Sequence, residues 1–356
     1  MRLAQIPENI SIQPITEMSP SRYTWLRDGC AYSFLLESSL RTCDGPSLLM
    51  PPVSLNNVIG TIVHKIFQLV NSGQLDSDEQ TIIVKWKELC TEHKARILEQ
   101  FPTLRNVSIG DYDAMFDTID VVQRMRSREG PVGAQTGTIH RLNEHYVKID
   151  NLLKGSIDRI KPSAGGYEII DYKTGKVYDD SGAIKADYVA QLNLYAYMLI
   201  ETELVNVTAL TIIDRAGTEI SVPYYQDKKD LVLDAVRQLL SRINQEVQSG
   251  NSENLCQPQE SNCDFCPCLH LCKHRIVSSD NPFHILEGRV INVWNMDQIS
   301  LEVEGLGEVI IAKLSVLNID NLNELVGKHL VFVNLLQIVE GEQYNRCDKT
   351  VIYEKV

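Results

Sequence analysis

Two predicted strands followed by a predicted helix constrain the fold of this chain more than any other feature. The strands, at 152–161 and 167–173, are rich in strand-forming residues, and the turn sequence Pro-Ser-Ala-Gly-Gly joins them. Apolar residues at helical spacing predict the helix at about 187–202. This order indicates a hairpin with a helix after it, in a chain that we expect to be of the α/β class.

Two carboxylates and one ammonium lie on the paired strands. Asp158 is on the first strand, Asp171 lies where the apolar second strand emerges, and Lys173 shares the face of Asp171. Carboxylate oxygens suit Mg²⁺ or Mn²⁺, and such an ion polarises a phosphate oxygen and lowers the pKa of a bound water. Lys173 could then orient that water or balance the developing charge. The alternative is that both aspartates are solvated residues near turns.

Three further polar residues lie on predicted helices. His64 is on the polar stripe of the helix predicted at about 54–70, and Gly60, one turn earlier, would allow close approach of another group. Gln191 and Tyr195 are spaced i, i+4 and share one face of their helix. The alternatives are a solvent-facing histidine and a tyrosine that packs against the sheet.

Taken in chain order, these residues resemble the motifs of the PD-(D/E)XK nuclease superfamily, in its RecB-like branch. The matching set is His64, Asp158, Asp171-x-Lys173 and Gln191-x-x-x-Tyr195. The resemblance implies that His64, Asp158 and Asp171 bind the metal, with help from the backbone carbonyl of Tyr172. It also implies that Lys173 is the catalytic lysine.

The same resemblance covers roughly residues 20–275 and implies a restriction-endonuclease-like mixed sheet flanked by helices. It implies that Gln191 and Tyr195 position DNA. The activity it implies is an Mg²⁺- or Mn²⁺-dependent deoxyribonuclease, an exonuclease on single-stranded or unwound DNA, in DNA repair, recombination or anti-phage defence. The alternative function is a non-catalytic DNA-end-binding or scaffold subunit of a helicase–nuclease complex.

A late group of cysteines has the spacing of metal ligands. Cys263-x-x-Cys266 is followed by Cys272, and Cys30 stands alone near the start of the chain. Four thiolates can hold a [4Fe–4S] cluster or a zinc ion. The arrangement resembles the iron–sulfur nucleases of the same branch, the AddB-type and CRISPR-associated RecB-like enzymes. That resemblance implies that the cluster ties the two ends of the nuclease domain together.

Two neighbouring cysteines leave the ligand set open. Cys256 and Cys268 lie in the same segment, so Cys256 could join the three late cysteines in a local zinc site without Cys30. We favour the iron–sulfur interpretation because Cys30 falls where the family places its remote ligand.

The pattern changes again near residue 281. Five short β-rich runs with one helical insert predict a small C-terminal β-barrel, similar to an OB-fold. We therefore expect a nuclease domain over residues 1–280 and a barrel over residues 281–356.

Composition limits the partners of the chain. No Gly-x-x-x-x-Gly-Lys-Ser/Thr loop is present, so a helicase would act in trans. A net charge of −13 argues against a wholly basic surface for nucleic acid, although a local basic groove would still attract DNA. No apolar run reaches the ~18 residues that span a membrane, and the N-terminus lacks a signal-type core. We expect a cytoplasmic protein without membrane contact.

Overall fold

The strands of this chain form two sheets, and helices pack around them. The computed structural model describes residues 3–41, 55–101, 103–104, 109, 112–128, 142–264, 266–276, 278, 281–294, 297–315 and 322–356. Within these ranges the helices are α1 (Pro20–Asp28), α2 (Ala31–Arg41), α3 (Leu55–Asn71), α4 (Glu79–Gln100), α5 (Tyr112–Arg128), α6 (Ala186–Glu203), α7 (Lys229–Gln248) and α8 (Glu260–Cys263). The strands are β1 (Ala4–Ile6), β2 (Asn143–Ile149), β3 (Leu153–Ser163), β4 (Gly166–Lys173), β5 (Val207–Asp214), β6 (Glu219–Val222), β7 (Phe283–Trp294), β8 (Gln298–Val303), β9 (Gly307–Ala312), β10 (His329–Val339) and β11 (Gln343–Lys355).

The first sheet is mixed and has the order β2-β3-β4-β5-β6. All neighbours are antiparallel except β4 and β5, which are parallel and are connected through α6. A parallel pair needs such a crossover, because the chain must return to the end of the sheet at which the first strand began. The expectation of a mixed α/β sheet flanked by helices is therefore confirmed.

Strand alternation in β4 divides the helices between the two faces of this sheet. Ile169 packs into a buried cluster with α1, α6 and α7, whereas Ile170 and Tyr172 pack with α3, α4 and α5. Asp171 and Lys173 alternate with Tyr172, so they lie on the α6 face. β4 therefore lies between two apolar clusters, with Asp171 and Lys173 at its end on the α6 side.

The C-terminal strands form a second sheet that closes on itself. Its order is β1-β11-β10-β7-β8-β9, and an additional parallel pairing of β11 with β9 completes the ring. The small closed C-terminal sheet expected from the sequence is confirmed. Its edge also takes in β1 from the start of the chain, with Ala4 opposite Tyr353.

The second sheet shares a hydrophobic cluster with the helices of the first. Val331, Val351 and Tyr353 are buried in the same cluster as Ile66 of α3 and Trp86 of α4. This contact was not expected, because short β runs in a sequence do not show which outer surface they will bury.

Residues 20–41 form two helices, α1 and α2, rather than one. The break lies at Gly29, where a Cβ atom would come 2.8 Å from the carbonyl oxygen of Trp25. The indole Nε1 of Trp25 donates a hydrogen bond to the carbonyl of Cys30 at 3.1 Å, which fixes the new direction of the chain. The break therefore positions Cys30 at the start of α2.

The described helices include none that is both long and apolar enough to cross a membrane.

Candidate metal centre and its neighbours

Lys173 is held at the end of β4 by two side chains. Its Nζ lies 2.7 Å from Oδ2 of Asp171 and donates a hydrogen bond to Oε1 of Gln191 at 2.9 Å. Gln191 Nε2 in turn donates a longer hydrogen bond to Asp171 Oδ1, at 3.4 Å. The three groups form a closed triangle between β4 and α6, so the ammonium has a defined position.

Asp158 lies where the pairing of β3 with β4 opens. That pairing ends at Arg159 and Ile170, next to Asp158 on one strand and Asp171 on the other. The backbone N–H of Tyr172 is freed by this opening and donates to Oδ2 of Asp158 at 2.9 Å. The two aspartates are therefore neighbours at one end of the sheet, as the hairpin predicted.

His64 reaches the same carboxylate from α3. Its Nδ1 lies 3.3 Å from Oδ2 of Asp158. Burial acts to lower the pKa of His64, but the hydrogen bond and the charge of Asp158 outweigh it, so that the pKa is raised. The predicted site residues on α3, β3, β4 and α6 are thus brought together in one region.

Glu144 was missed by the sequence analysis. Its carboxylate and the ligand atoms of His64 and Asp158 all lie within 4.8 Å of one another. Asn143 and His145 pair with Arg159 and Ile157, so Glu144 on β2 falls opposite Asp158 on β3.

Glu144 has an unusual backbone conformation for a strand residue, and its charge lies opposite a like charge. Its backbone has a φ of 48°, a left-handed conformation that a strand residue rarely adopts. Like charges directly opposite each other destabilise a sheet. A cation or a protonated histidine between Glu144 and Asp158 would remove that cost.

Asp171 is the most strongly desolvated carboxylate of the group. It is 4% exposed, and burial together with the charge of Asp158 raises its pKa to about 6. Its Oδ2 accepts no well-aligned hydrogen bond from the described residues, although it touches the ammonium of Lys173. Asp171 is not one of the three residues whose ligand atoms lie within 4.8 Å of one another, and its Oδ2 instead contacts the ammonium of Lys173. Metal binding by Asp171 therefore stays a prediction.

Tyr195 occupies a packing position behind Gln191. It is buried, and a Cβ atom at Gly155 of β3 would come 3.0 Å from its ring and from its hydroxyl. Burial and the charges of Asp171 and Asp158 raise the pKa of Tyr195. Tyr195 therefore packs against the sheet.

A second group of predicted residues meets at the junction of α2 with the segment after α7. Cys30, Cys256, Cys263, Cys266 and Cys272 line one enclosed cavity. The sulfurs of Cys256 and Cys272 are 3.9 Å apart, and the backbone N–H of Gln257 points to the sulfur of Cys30 at 3.5 Å. The chain thus brings the remote cysteine to the late ones, together with Cys256.

Cys268 is separate from this cavity. It is fully buried and packs in a small cluster with Leu36 and Cys272. Burial raises the pKa of Cys268, as expected for a thiol in apolar surroundings. We therefore describe it as a packing residue.

The chain belongs to the PD-(D/E)XK nuclease superfamily, which it matches over residues 17–273. The match contains every predicted site residue and ends one position after Cys272, before β7 begins. This superfamily consists of nucleases that depend on divalent metal ions, and the cluster of His64, Glu144 and Asp158 is a candidate site for such an ion. No curated protein gives a significant match to the chain.

Proposed function

We propose that this protein is an Mg²⁺- or Mn²⁺-dependent deoxyribonuclease of the RecB-like branch, an exonuclease that hydrolyses single-stranded or unwound DNA. The observation that carries the proposal is the position of Glu144 opposite Asp158, with His64 against the same carboxylate and the Asp171–Lys173 pair beside it. Negative charges placed together at one strand end cost stability, and a bound cation would remove that cost.

His64, Glu144 and Asp158 would hold the ion, and the family resemblance adds Asp171 as a ligand. When bound, Mg²⁺ or Mn²⁺ supplies a Lewis acid for a phosphate oxygen and lowers the pKa of water. The family resemblance adds the backbone carbonyl of Tyr172 as a further ligand.

Lys173 would act on the phosphate rather than on the ion. Asp171 and Gln191 hold its ammonium at the end of the sheet, so it need not be ordered when the substrate arrives. A fixed positive charge beside the phosphate stabilises the charge that develops as water attacks. Gln191 is then a positioning residue for Lys173, and Tyr195 supports Gln191 from behind.

For the cysteine cavity we propose a structural [4Fe–4S] cluster held by Cys30, Cys263, Cys266 and Cys272. A tetrahedral zinc site with Zn–S bonds of about 2.3 Å brings its sulfurs to within about 4 Å of one another. Among the described residues, the group with three ligand atoms within 4.8 Å is that of His64 and not a set of thiols. Apart from the Cys256–Cys272 pair at 3.9 Å, no three thiols of the described residues lie within 4.8 Å of one another, which favours the larger group over zinc.

The remaining parts of the proposal concern the setting. We propose a nuclease domain over residues 1–280 and a barrel over residues 281–356 that contacts a partner protein, such as a helicase. The role would be in DNA repair, recombination or anti-phage defence, in the cytoplasm. The acidic chain, with a net charge of −13, favours delivery of DNA by a partner over strong unaided binding.

The test is release of nucleotides from end-labelled single-stranded DNA with Mg²⁺ or Mn²⁺, comparing wild type with Lys173→Ala and Lys176→Ala. Lys176 is an exposed lysine three residues away that pairs with Asp180, so it is a matched control. We expect wild type and Lys176→Ala to cleave and Lys173→Ala to bind DNA without cleaving. Binding without metal-dependent cleavage by wild type would instead support the non-catalytic end-binding function.

A further inference from the structure

A second cavity lies on the other side of α3 from the proposed metal site. We call it the side cavity; it has a volume of about 170 Å³ and lies between α3, α5 and the ends of β4 and β5. Its walls include Ile59, Val63 and Phe67 of α3, Thr118 and Val121 of α5, and Ile213 of β5. A cavity that combines apolar walls with polar groups is typical of a site for an organic ligand.

Helix α3 separates the side cavity from the open cleft, which is the space bordered by Gly60, His64, Glu144 and Asp158. Residues 60, 64 and 68 face the open cleft, whereas residues 59, 63 and 67 face the side cavity. This division follows from helical periodicity, because positions three and four apart share a face. The helix therefore forms a thin wall between the two spaces.

Thr174 borders both spaces. It follows Lys173 directly, and a Cβ atom at Gly60 would come 3.3 Å from its Oγ1. The absence of a side chain at position 60 lets α3 approach the end of β4 closely. The open cleft and the side cavity therefore meet at Thr174.

The charged side chains of the side cavity disfavour an anion as its occupant. Asp117 and Arg215 form an ion pair there, and Asp214 adds a second carboxylate. The ammonium of Lys173 is on the opposite face of the sheet, against Asp171 and Gln191. The occupant should therefore be uncharged, with flat apolar faces for the walls and hydrogen-bonding edges for the polar groups.

We propose that the side cavity receives one unpaired nucleobase of the DNA strand that occupies the open cleft. The inference rests on the proposed nuclease function and adds to it a subsite for the base next to the cleaved bond. A base combines apolar faces with polar edges, whereas the phosphate and sugar do not. A base inside a duplex cannot enter such a cavity, so the subsite selects single-stranded or locally unpaired DNA.

The experiment measures cleavage of single-stranded oligonucleotides that carry one abasic nucleotide, moved stepwise past the cleaved bond. Wild type is compared with Ala114→Phe, which fills the side cavity from α5, and with Ala95→Phe, a matched change at an exposed position of α4. Binding of the same oligonucleotides to Lys173→Ala separates affinity from cleavage. Thermal unfolding of each variant reports whether it is folded.

We expect wild type and Ala95→Phe to cleave about tenfold more slowly when the abasic nucleotide is at one position, and at unchanged rates when it is elsewhere. Ala114→Phe should cleave the intact strand as slowly as wild type cleaves the strand with the abasic nucleotide at that position. The abasic nucleotide should not slow cleavage by Ala114→Phe any further. Equal rates for wild type at every abasic position would overturn the subsite alone, whether or not Ala114→Phe folds. A folded Ala114→Phe with wild-type cleavage would also overturn it. If wild type cleaves no DNA, the proposed function fails and the subsite fails with it.

Discussion

The ring of Tyr188 lies 4.6 Å from the ammonium of Lys173. Tyr188 precedes Gln191 by three residues on α6, so the two side chains reach Lys173 from one helix face. An ammonium over an aromatic face is attracted by the electron-rich face of the ring quadrupole. Lys173 is therefore held on three sides, by Asp171, Gln191 and Tyr188.

We predict that Tyr188→Leu lowers kcat for DNA cleavage by about three- to tenfold, because a cation–π contact contributes about 0.5–2 kcal/mol. KM should stay within about twofold, since the ring acts on the position of Lys173 and not on DNA binding. Tyr188→Phe keeps the ring face and should retain wild-type kcat. Equal losses in the two variants would assign the effect to the hydroxyl and reject the positioning role.

We predict that Glu144→Gln weakens Mn²⁺ binding by about tenfold, as measured by titration calorimetry. The same change should stabilise the metal-free protein by a few tenths of a kcal/mol or more, because it removes a like charge opposite Asp158. Glu168→Gln, on β4, is the control; Glu168 accepts a hydrogen bond from Thr211 and lies at the far end of that strand. Unchanged Mn²⁺ affinity in Glu144→Gln would remove Glu144 from the ligand set.

The raised pKa of Asp171 predicts how metal-free stability changes with pH. A folded pKa of about 6, against 3.8 when unfolded, means that the folded state holds the proton more tightly. This contribution is full below the unfolded pKa and is lost as the pH rises through 6.

We therefore expect wild type to lose about 1 kcal/mol of unfolding free energy, relative to Asp171→Asn, between pH 5 and pH 8. Urea denaturation in chelator at both values measures this difference. A gap that stays constant across the range would mean that Asp171 ionises normally.

The cysteine cavity yields a prediction that separates its two possible ligand sets. Cys30→Ala should lose most of its iron and unfold at a lower temperature, whereas Cys256→Ala should keep its iron. The absorbance near 400 nm and the iron content of anaerobic protein give the measurement. Cys90→Ala, a half-buried thiol on α4, is the control. The reverse result would make Cys256 the fourth ligand and leave the two ends of the domain untied.

Sequence patterns predicted the site residues whose positions follow from neighbouring segments of the chain. They did not predict the residues whose positions follow from strand register or from packing. Asp158 and Asp171 could be predicted as neighbours because a short turn joins their strands. Glu144 could not, because its position depends on how β2 pairs with β3, and its sequence surroundings are ordinary polar residues. Cys256 was visible, but only the folded chain shows that it shares a cavity with Cys30.

The boundary between the two sheets illustrates the same limit. The composition change near residue 281 correctly predicted a second, closed sheet. The pairing of β1 with β11 joins positions at opposite ends of the chain, and no local sequence pattern predicts it. The division into residues 1–280 and 281–356 stays a prediction, and the packing between the sheets bears on how separable the parts are.

We predict that the second sheet cannot be removed without loss of the first. Val331, Val351 and Tyr353 are buried against the α3 cluster, and α3 carries His64. Each such side chain contributes about 1.5–3 kcal/mol by burial, so losing several together approaches the ~5–15 kcal/mol that stabilises a domain.

A protease site inserted near residue 280 tests this directly. After cleavage, we expect the two fragments to elute together and to keep nuclease activity, because β1 stays paired with β11 and the shared cluster stays buried. A chain that ends at residue 280 should be insoluble or unfold at a much lower temperature. Recovery of a folded 1–280 fragment that cleaves single-stranded DNA at the wild-type rate would show instead that the barrel is a separable domain.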